Sequence, residues 1–218
     1  MKKILLLILT LSLFTFACSC NDEIDLTTYL SQKRTTVYVC EENDFKLTVF
    51  AEERETPFLT DGFVGKVGKF VTVKIENFTT SLDDVSVTLN YGKNSVNGKL
   101  DFNPINGKFS TEICVETLPN DDEISLTVAN AGEQKNLTLK KFKSEGVDYV
   151  EALSAVSKHA KESIESLLKA GESIEVRLRL IPEGDRYYYY VSITDNSKKT
   201  IAFLVDGVTA KILASRVL

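Results

Sequence analysis

The sequence has no tryptophan and one histidine, so several kinds of site have too few residues to be built. The single histidine, His159, excludes a zinc site made of several histidines, and no partner for a Ser/His/acid triad stands at a suitable spacing. The acidic runs CEEND, AEERE, SLDDV and NDDEI lack the ligand spacing of a calcium loop, and we interpret them as solvated turns. The sequence predicts no metal, no cofactor and no enzymatic activity. A hydrolase built on two converging carboxylates is the remaining enzymatic alternative.

Basic residues are also scarce relative to acidic ones. The chain has 26 Lys and Arg against 31 Asp and Glu, which gives a net charge of −5. Affinity for nucleic-acid phosphates rests on clustered Lys and Arg. We therefore expect no nucleic-acid partner.

The amino-terminal apolar run is short. Lys2 and Lys3 precede an uncharged stretch from Ile4 to Ala17. A spanning helix needs about 20 apolar residues, whereas a basic start followed by a short apolar run is typical of a signal peptide. We interpret residues 1–17 as a signal peptide. Its removal takes away two lysines and no acid, which leaves a net charge of −7 on the exported chain.

Two cysteines follow this run, and the small residue Ala17 stands directly before Cys18. This arrangement resembles the lipoprotein box of bacterial lipoproteins, in which the cysteine after the cleavage point receives lipid. The resemblance implies an extracytoplasmic protein held at the cell membrane by lipid on Cys18. Cleavage two residues later would place the lipid on Cys20 instead, and cleavage without lipid would give a secreted protein.

Residues 35–142 contain about eight short segments in which apolar and polar residues alternate, separated by Asn, Asp and Gly. Such segments are typical of antiparallel strands, and their number and spacing predict an immunoglobulin-like β-sandwich. Residues 18–34, before this domain, are polar and lack the strand period. We therefore expect residues 18–34 to be a lipid-anchored spacer.

Cys40 and Cys114 stay in the exported chain, in a compartment where disulfides form. The alternation puts Cys114 on the polar face of its strand. The chain also lacks the tryptophan on which the buried bridge of antibody domains packs. A surface disulfide between Cys40 and Cys114 and two free thiols both remain open.

After residue 142 the period becomes helical. Asp148 is a candidate N-cap with Glu151 three residues later, and Gly171 is a candidate C-terminal stop. Apolar residues recur between them at helical spacing, and residues 174–218 alternate again like strands. We predict a long helix packed on an antiparallel sheet over residues 148–218. The whole chain is then an α+β protein.

The carboxy-terminal residues carry a second resemblance. The residues Val205, Asp206, Thr209, Lys211 and Ile212 match the closing strand–turn–strand pattern of PepSY-type and cystatin-like domains of exported bacterial proteins. Ala210 stands where that pattern has glycine. The resemblance implies a fold, and a binding, inhibitory or regulatory role outside the membrane.

Residues 187–190 are four consecutive tyrosines and supply the candidate binding face. Alternation turns Tyr188 and Tyr190 outward, on the face that Arg177 and Arg179 of the preceding strand share, and puts the other two tyrosines under the helix. Two tyrosines beside two arginines can bind a flat or anionic partner through stacking and charge. They can equally form a cross-strand ladder that only stabilises the sheet.

Together these features predict a non-enzymatic, lipid-anchored binding or interaction protein outside a bacterial membrane. Its expected partners are the membrane, through the anchor, and a protein or small molecule that the sequence does not identify. The alternative is a secreted regulator or inhibitor of an extracellular enzyme.

Overall fold

The computed structural model describes residues 23–42, 45–76, 84–130 and 132–218. The signal peptide expected at residues 1–17, with Cys18 and Cys20 behind it, lies outside these ranges. Of the described residues, 57% lie in strands and 13% in helices. Within these ranges, no helix has both the length and the apolar character needed to cross a membrane.

The amino-terminal part contributes nine strands to the fold. They are β1 (Leu30–Glu42), β2 (Phe45–Glu55), β3 (Val67–Glu76), β4 (Ser86–Tyr91), β5 (Asn94–Lys99), β6 (Asp101–Asn103), β7 (Lys108–Cys114), β8 (Glu123–Asn130) and β9 (Glu133–Lys141). Each segment that the alternation predicts as a strand contributes to at least one of these nine, and residues 95–102 contribute to both β5 and β6. A 3-10 helix, Leu26–Tyr29, precedes β1.

The carboxy-terminal part adds two helices and four strands. They are α1 (Tyr149–His159), α2 (Lys161–Lys169), β10 (Ile174–Glu183), β11 (Arg186–Asp195), β12 (Thr200–Asp206) and β13 (Ile212–Val217). Asp148 caps α1 as predicted. Its side chain accepts the Glu151 backbone N–H, and the Glu151 carboxylate accepts the Asp148 backbone N–H.

All thirteen described strands belong to one sheet with the order β13-β12-β11-β10-β1-β2-β3-β7-β6. Strands β5, β4, β8 and β9 form a branch that joins the sheet where β9 pairs with β1. The pairs are antiparallel except for β1 and β10, which run parallel. Strand β1 therefore connects the two halves of the chain.

The predicted α+β fold, with a sandwich followed by a long helix on a separate sheet, is wrong. The protein is mostly β, and its strands form one continuous sheet. The physical reason is the length of β1, which starts at Leu30 and pairs through Arg34 with β10. The predicted boundary between residues 142 and 148 falls in the connection from β9 to α1.

The predicted long helix is two short ones. Ala160, with φ −103° and ψ 13°, leaves the helical conformation between α1 and α2. The bend keeps Val156 and Ile164 buried on the same side, against a sheet whose strands twist. No glycine or proline marks this break, so the helical spacing of apolar residues predicts one continuous helix across it.

Two hydrophobic clusters fill the interior. One lies among β2, β3, β4, β7, β8 and β9, and the other lies between the helices and β10–β12. The neighbouring residues Val37 and Tyr38 of β1 belong to different clusters. Leu26 is 2% exposed and packs in the helix cluster. The described part of the expected spacer 18–34 is therefore folded into the body of the protein.

No disulfide joins Cys40 to Cys114. Cys40 packs against the first cluster from β1, whereas Cys114 is exposed on β7. Strands β2 and β3 lie between β1 and β7, and neighbouring strands are about 4.8 Å apart. The three strand spacings from β1 to β7 exceed the span of a disulfide.

The turn after β12 is organised by Asp206. Its side chain accepts the backbone N–H groups of Val208 and Thr209, at 3.1 and 2.8 Å. Ala210 has φ 55°, the left-handed region that glycine adopts without strain. Ala210 thus takes up the conformation that the glycine of the PepSY-type pattern would favour, and membership of that family stays a prediction.

Candidate functional site

The sheet face away from the helices carries the charged side chains of β10. Val176 and Leu178 are buried beneath the helices, so Glu175, Arg177 and Arg179 point to the other face. On β11 the same alternation buries Tyr187 and Tyr189 and leaves Tyr188 and Tyr190 half-buried on the charged face. The predicted orientation of the four tyrosines is confirmed.

Arg177 is enclosed by acidic partners. Its Nη2 atom lies 2.9 Å from Glu175 Oε1 and 3.5 Å from Glu55 Oε1, and it donates a hydrogen bond to the carbonyl oxygen of Leu59. All three charged residues are buried. We call Glu55, Glu175 and Arg177 the closed ion cluster. The Arg177 Nε atom is also buried and has no hydrogen-bond partner. Because two carboxylates already balance its charge and the side chain is only 8% exposed, the structure does not offer this arginine to a ligand.

A loop of residues 56–66 covers the closed ion cluster. The Glu55 carboxylate accepts the backbone N–H groups of Leu59, at 3.2 Å, and Gly65, at 3.0 Å. The centroid of the Phe58 ring lies 4.2 Å from the Arg177 guanidinium carbon. Gly62 passes so close to β11 that a Cβ there would lie 2.3 Å from the carbonyl carbon of Asp195. The loop is thus fixed to the sheet at several points.

Glu175 is the least satisfied member of this cluster. It is fully buried, and neither carboxylate oxygen accepts a well-formed hydrogen bond, although Arg177 meets it as an ion pair. Burial raises the pKa of Glu175 from 4.5 to about 7; the Arg177 charge opposes this shift, while Glu55 and Asp61 add to it. Glu175 therefore titrates near neutral pH.

A second group on the same face consists of cations. Arg34 and Arg179 are cross-strand partners in the parallel pair of β1 and β10. The Arg34 guanidinium carbon lies 4.3 Å from the centroid of the Phe50 ring, and Lys74 Nζ lies 5.3 Å from the same centroid. We call Arg34, Lys74 and Arg179 the cationic patch. All three side chains are half-buried.

Counter-charge in the cationic patch is sparse. Arg179 Nε donates to Gln32 Oε1 at 2.7 Å, and Gln32 Nε2 donates to Glu52 Oε2 at 2.6 Å. Within the part of the chain that the structure describes, no ion pair involves any of the three patch cations, and the buried Nε of Arg34 has no hydrogen-bond acceptor. Glu52 therefore reaches Arg179 only through a neutral amide.

The pKa values of the patch reflect this imbalance. Burial and the nearby charge of Arg179 together lower the pKa of Arg34 to about 10, against the opposing charge of Glu52. Burial also lowers the pKa of Lys74, with the Arg34 charge adding to the effect, and burial lowers the pKa of Arg179 against the opposing charge of Glu52. The three cations thus disfavour one another, and a bound anion would relieve that repulsion.

A shallow pocket of about 380 Å³ lies beside Tyr190, the cross-strand partner of Arg179. Its volume is within the range of small-molecule sites. It is lined by Tyr190, Ala202, Phe203, Leu204, Ala214, Ser215 and Arg216. A flat group could pack on the Tyr190 ring while its anion meets the guanidinium groups.

The structure brings together only part of the predicted binding face. Arg179 and Tyr190 lie opposite each other, but Arg177 belongs to the closed ion cluster, and Tyr188 pairs with Ile181 and Asp206 away from the cationic patch. Sequence reasoning missed Arg34, which lies in the expected spacer, and Lys74. The alternation of β3 was the available signal for Lys74, since it places that residue on the face of the strand away from the buried Val73 and Ile75.

The acidic run AEERE is not a solvated turn. Glu52 and Glu55 are buried in β2, where they face basic partners. His159 is exposed at the end of α1, with its ring edge-on to Phe203 at 6.0 Å. Across the described ranges, no three or more His, Cys, Asp or Glu side chains are grouped so that they could hold a metal ion.

Comparisons of this chain with family models, with curated proteins and with solved structures found no match.

Proposed function

We propose that this protein is a non-enzymatic, lipid-anchored binding protein outside a bacterial membrane, and that its cationic patch binds an anionic group of its partner. One observation carries the proposal: three half-buried cations lie together without an ion pair, and the buried Arg34 Nε has no acceptor. A buried polar or charged group without a partner is costly. An anionic ligand would supply the missing acceptor and counter-charge.

The neighbouring surface narrows the ligand class. A guanidinium presents a planar fork that matches a carboxylate or phosphate through two parallel hydrogen bonds. The Tyr190 ring and the 380 Å³ pocket beside it can receive a flat apolar group. The proposed ligand is therefore a flat or aromatic compound, or a side chain of a partner, that carries a carboxylate or phosphate.

The binding proposal is tested by calorimetric titration of the protein with phenyl phosphate, benzoate and the uncharged benzyl alcohol. We expect the two anions to bind and the alcohol not to bind. Arg179→Gln should weaken anion binding by about tenfold or more, since hydrogen bonds to charged groups contribute about 1.5–3 kcal/mol. Lys143→Gln is the matched control, because it removes one exposed positive charge elsewhere. Equal affinities of the two variants, or no anion binding by the wild type, would refute the proposal.

The anchoring proposal is tested by metabolic labelling with a fatty-acid analogue. The full chain should take up the label and sediment with membranes. Cys18→Ala, Cys20→Ala and the double variant show which cysteine carries the lipid. A wild-type product that is soluble and unlabelled would contradict the anchor and leave ordinary secretion.

A further inference from the structure

The loop that covers the closed ion cluster also exposes an apolar surface. Phe58, Leu59, Phe63, Val64 and Val67 are each between 41% and 54% exposed, within ten consecutive residues. Scattered exposed apolar residues are ordinary on protein surfaces, but a contiguous set marks an interaction site. These five side chains make the loop a candidate contact surface.

The loop is held in a shape that displays these side chains. The Glu55 carboxylate accepts the backbone N–H groups of Leu59, early in the loop, and Gly65, near its end. Asp61 Oδ1 accepts the Phe63 N–H at 3.1 Å. Gly62 rests against the backbone of Asp195. Because hydrogen bonds fix the loop on the sheet, the exposure of Leu59, Phe63 and Val64 is a property of the folded loop.

The loop lies at the end of the sheet where the chain enters. It follows β2, whose Arg54 pairs with Gln32 near the start of β1. The Ser157 hydroxyl, near the end of α1, donates a hydrogen bond to the carbonyl oxygen of Ile24. The next helix, α2, lines a pocket together with Asp195 at the end of β11. The entering chain and the loop thus both approach the β11–β12 turn.

Little chain separates this end from the expected lipid. The described residues begin at Glu23, which follows Cys20 by three positions and Cys18 by five. An extended chain spans at most about 3.3–3.6 Å per residue, so the lipidated cysteine lies within about 18 Å of Glu23. A lipid at either cysteine therefore holds this end of the protein close to the bilayer.

The charges around the loop suit a membrane surface. Lys66 in the loop and Lys198 and Lys199 in the adjacent turn are exposed, while Asp61 is half-buried and bonded within the loop. Exposed apolar side chains flanked by lysines are the pattern that binds the interface of an anionic bilayer. Tethering strengthens such contacts by raising their effective concentration.

We propose that the loop of residues 56–66 is a membrane-contacting element, and that Leu59, Phe63 and Val64 enter the interfacial region of the bilayer to which the protein is anchored. This inference rests on the lipid anchor of the proposed function. It gives the protein a fixed orientation, with the loop against the membrane and the β12–β13 turn at the far end of the strands.

The absence of tryptophan makes a direct test available. The lipidated full chain carrying Phe63→Trp is reconstituted into vesicles of phosphatidylethanolamine and phosphatidylglycerol with brominated acyl chains. When the vesicles are present, we expect the fluorescence of the introduced tryptophan to shift to the blue and to be quenched by the brominated chains. Val208→Trp is the matched control, since this exposed apolar residue lies at the opposite end of β12 and should emit as in water. Leu59→Trp is a second reporter if Phe63→Trp does not fold.

Flotation of the vesicles separates the two failures. If the protein floats while the loop reporters stay unshifted and unquenched, the loop inference is overturned and the anchor stands. If the wild type does not float, the anchor fails and the inference fails with it. A blue shift that is already present without vesicles also overturns the inference, because a second copy or another part of the chain then covers the loop.

Discussion

Arg177 and Arg179 are two residues apart on one face of β10, yet their surroundings differ. Arg177 contacts two carboxylates and a backbone carbonyl beneath a covering loop. Arg179 is half-buried, donates to the neutral side chain of Gln32, and has Arg34 as its cross-strand partner. The closed ion cluster thus has an excess of negative charge, and the cationic patch has an excess of positive charge.

This difference separates charges that hold the fold from charges that are available to a ligand. In the closed ion cluster, two buried acids face one guanidinium, and loss of that guanidinium would leave them unpaired. In the cationic patch, loss of one cation would reduce repulsion among the others. Substitutions in the two groups should therefore act mainly on stability and on binding, respectively.

The largest effect is expected from Arg177→Met. This variant leaves Glu55 and Glu175 buried without their cation and releases Leu59 of the covering loop. Breaking a buried ion pair typically costs about 3–5 kcal/mol, so the free energy of unfolding at about pH 8 should fall by that amount. Urea denaturation measures it. Arg179→Met, the matched control, should cost less than about 1 kcal/mol, and similar losses for both variants would erase the distinction between the groups.

The next effect concerns the pH dependence of stability. Since burial raises the pKa of Glu175 from 4.5 to about 7, the folded protein retains a proton between these pH values that the unfolded chain has released. The stability contributed by Glu175 is therefore fully present below about pH 4.5, is lost as the pH rises through about 7, and then stays level.

Glu175→Gln should remove this pH dependence. At about pH 8 it should raise the free energy of unfolding by up to about 3 kcal/mol, at about 1.4 kcal/mol for each pH unit between the two pKa values. Urea denaturation at several pH values between about 5 and 8 checks both statements. Glu183→Gln, at an exposed position, is the control. Parallel pH profiles for Glu175→Gln and the wild type would show that Glu175 is ionised throughout the range.

The strands could be predicted from the sequence because their signal is local. Alternation of apolar and polar residues reports which side chains face inward, as it does for Tyr187 to Tyr190. The pairing of β1 with β10 joins Arg34 to Arg179, 145 positions apart in the sequence. Nothing local records such a pairing, so the continuous sheet was missed.

The same limit applies to the site. Glu52 and Glu55 stand in an acidic run that looks solvated, because the arginines and the loop that enclose them come from other parts of the chain. Arg34 stands in a polar stretch that looks like a spacer. Alternation correctly placed Arg179 and Tyr190 on one face, but the charge balance around each arginine depends on partners that only the fold brings together.

A smaller effect is expected when phosphate is added to the protein. An anion that binds only the folded state stabilises it by RT ln(1 + [L]/Kd), which is about 1.4 kcal/mol at ten times Kd. Thermal melts in phosphate and in chloride of equal ionic strength should show this difference for the wild type and for Glu175→Gln. Arg34→Gln and Lys74→Gln should reduce it. An undiminished phosphate effect in the patch variants would place the anion elsewhere.

The smallest effect is expected from the two outward tyrosines. Tyr188→Ser and Tyr190→Ser should each cost only about 0.2–1 kcal/mol, the range of cross-strand pairs, because the core tyrosines are untouched. Their binding effects should differ, since Tyr190 lies opposite Arg179 and lines the pocket, whereas Tyr188 lies opposite Ile181. Tyr190→Ser should weaken phenyl phosphate more than inorganic phosphate, and Tyr188→Ser should weaken neither. Calorimetry and melts of both variants measure this. Unchanged affinity in Tyr190→Ser, with the same small loss of stability, would show that the tyrosines form a packing ladder and that the patch recognises charge alone.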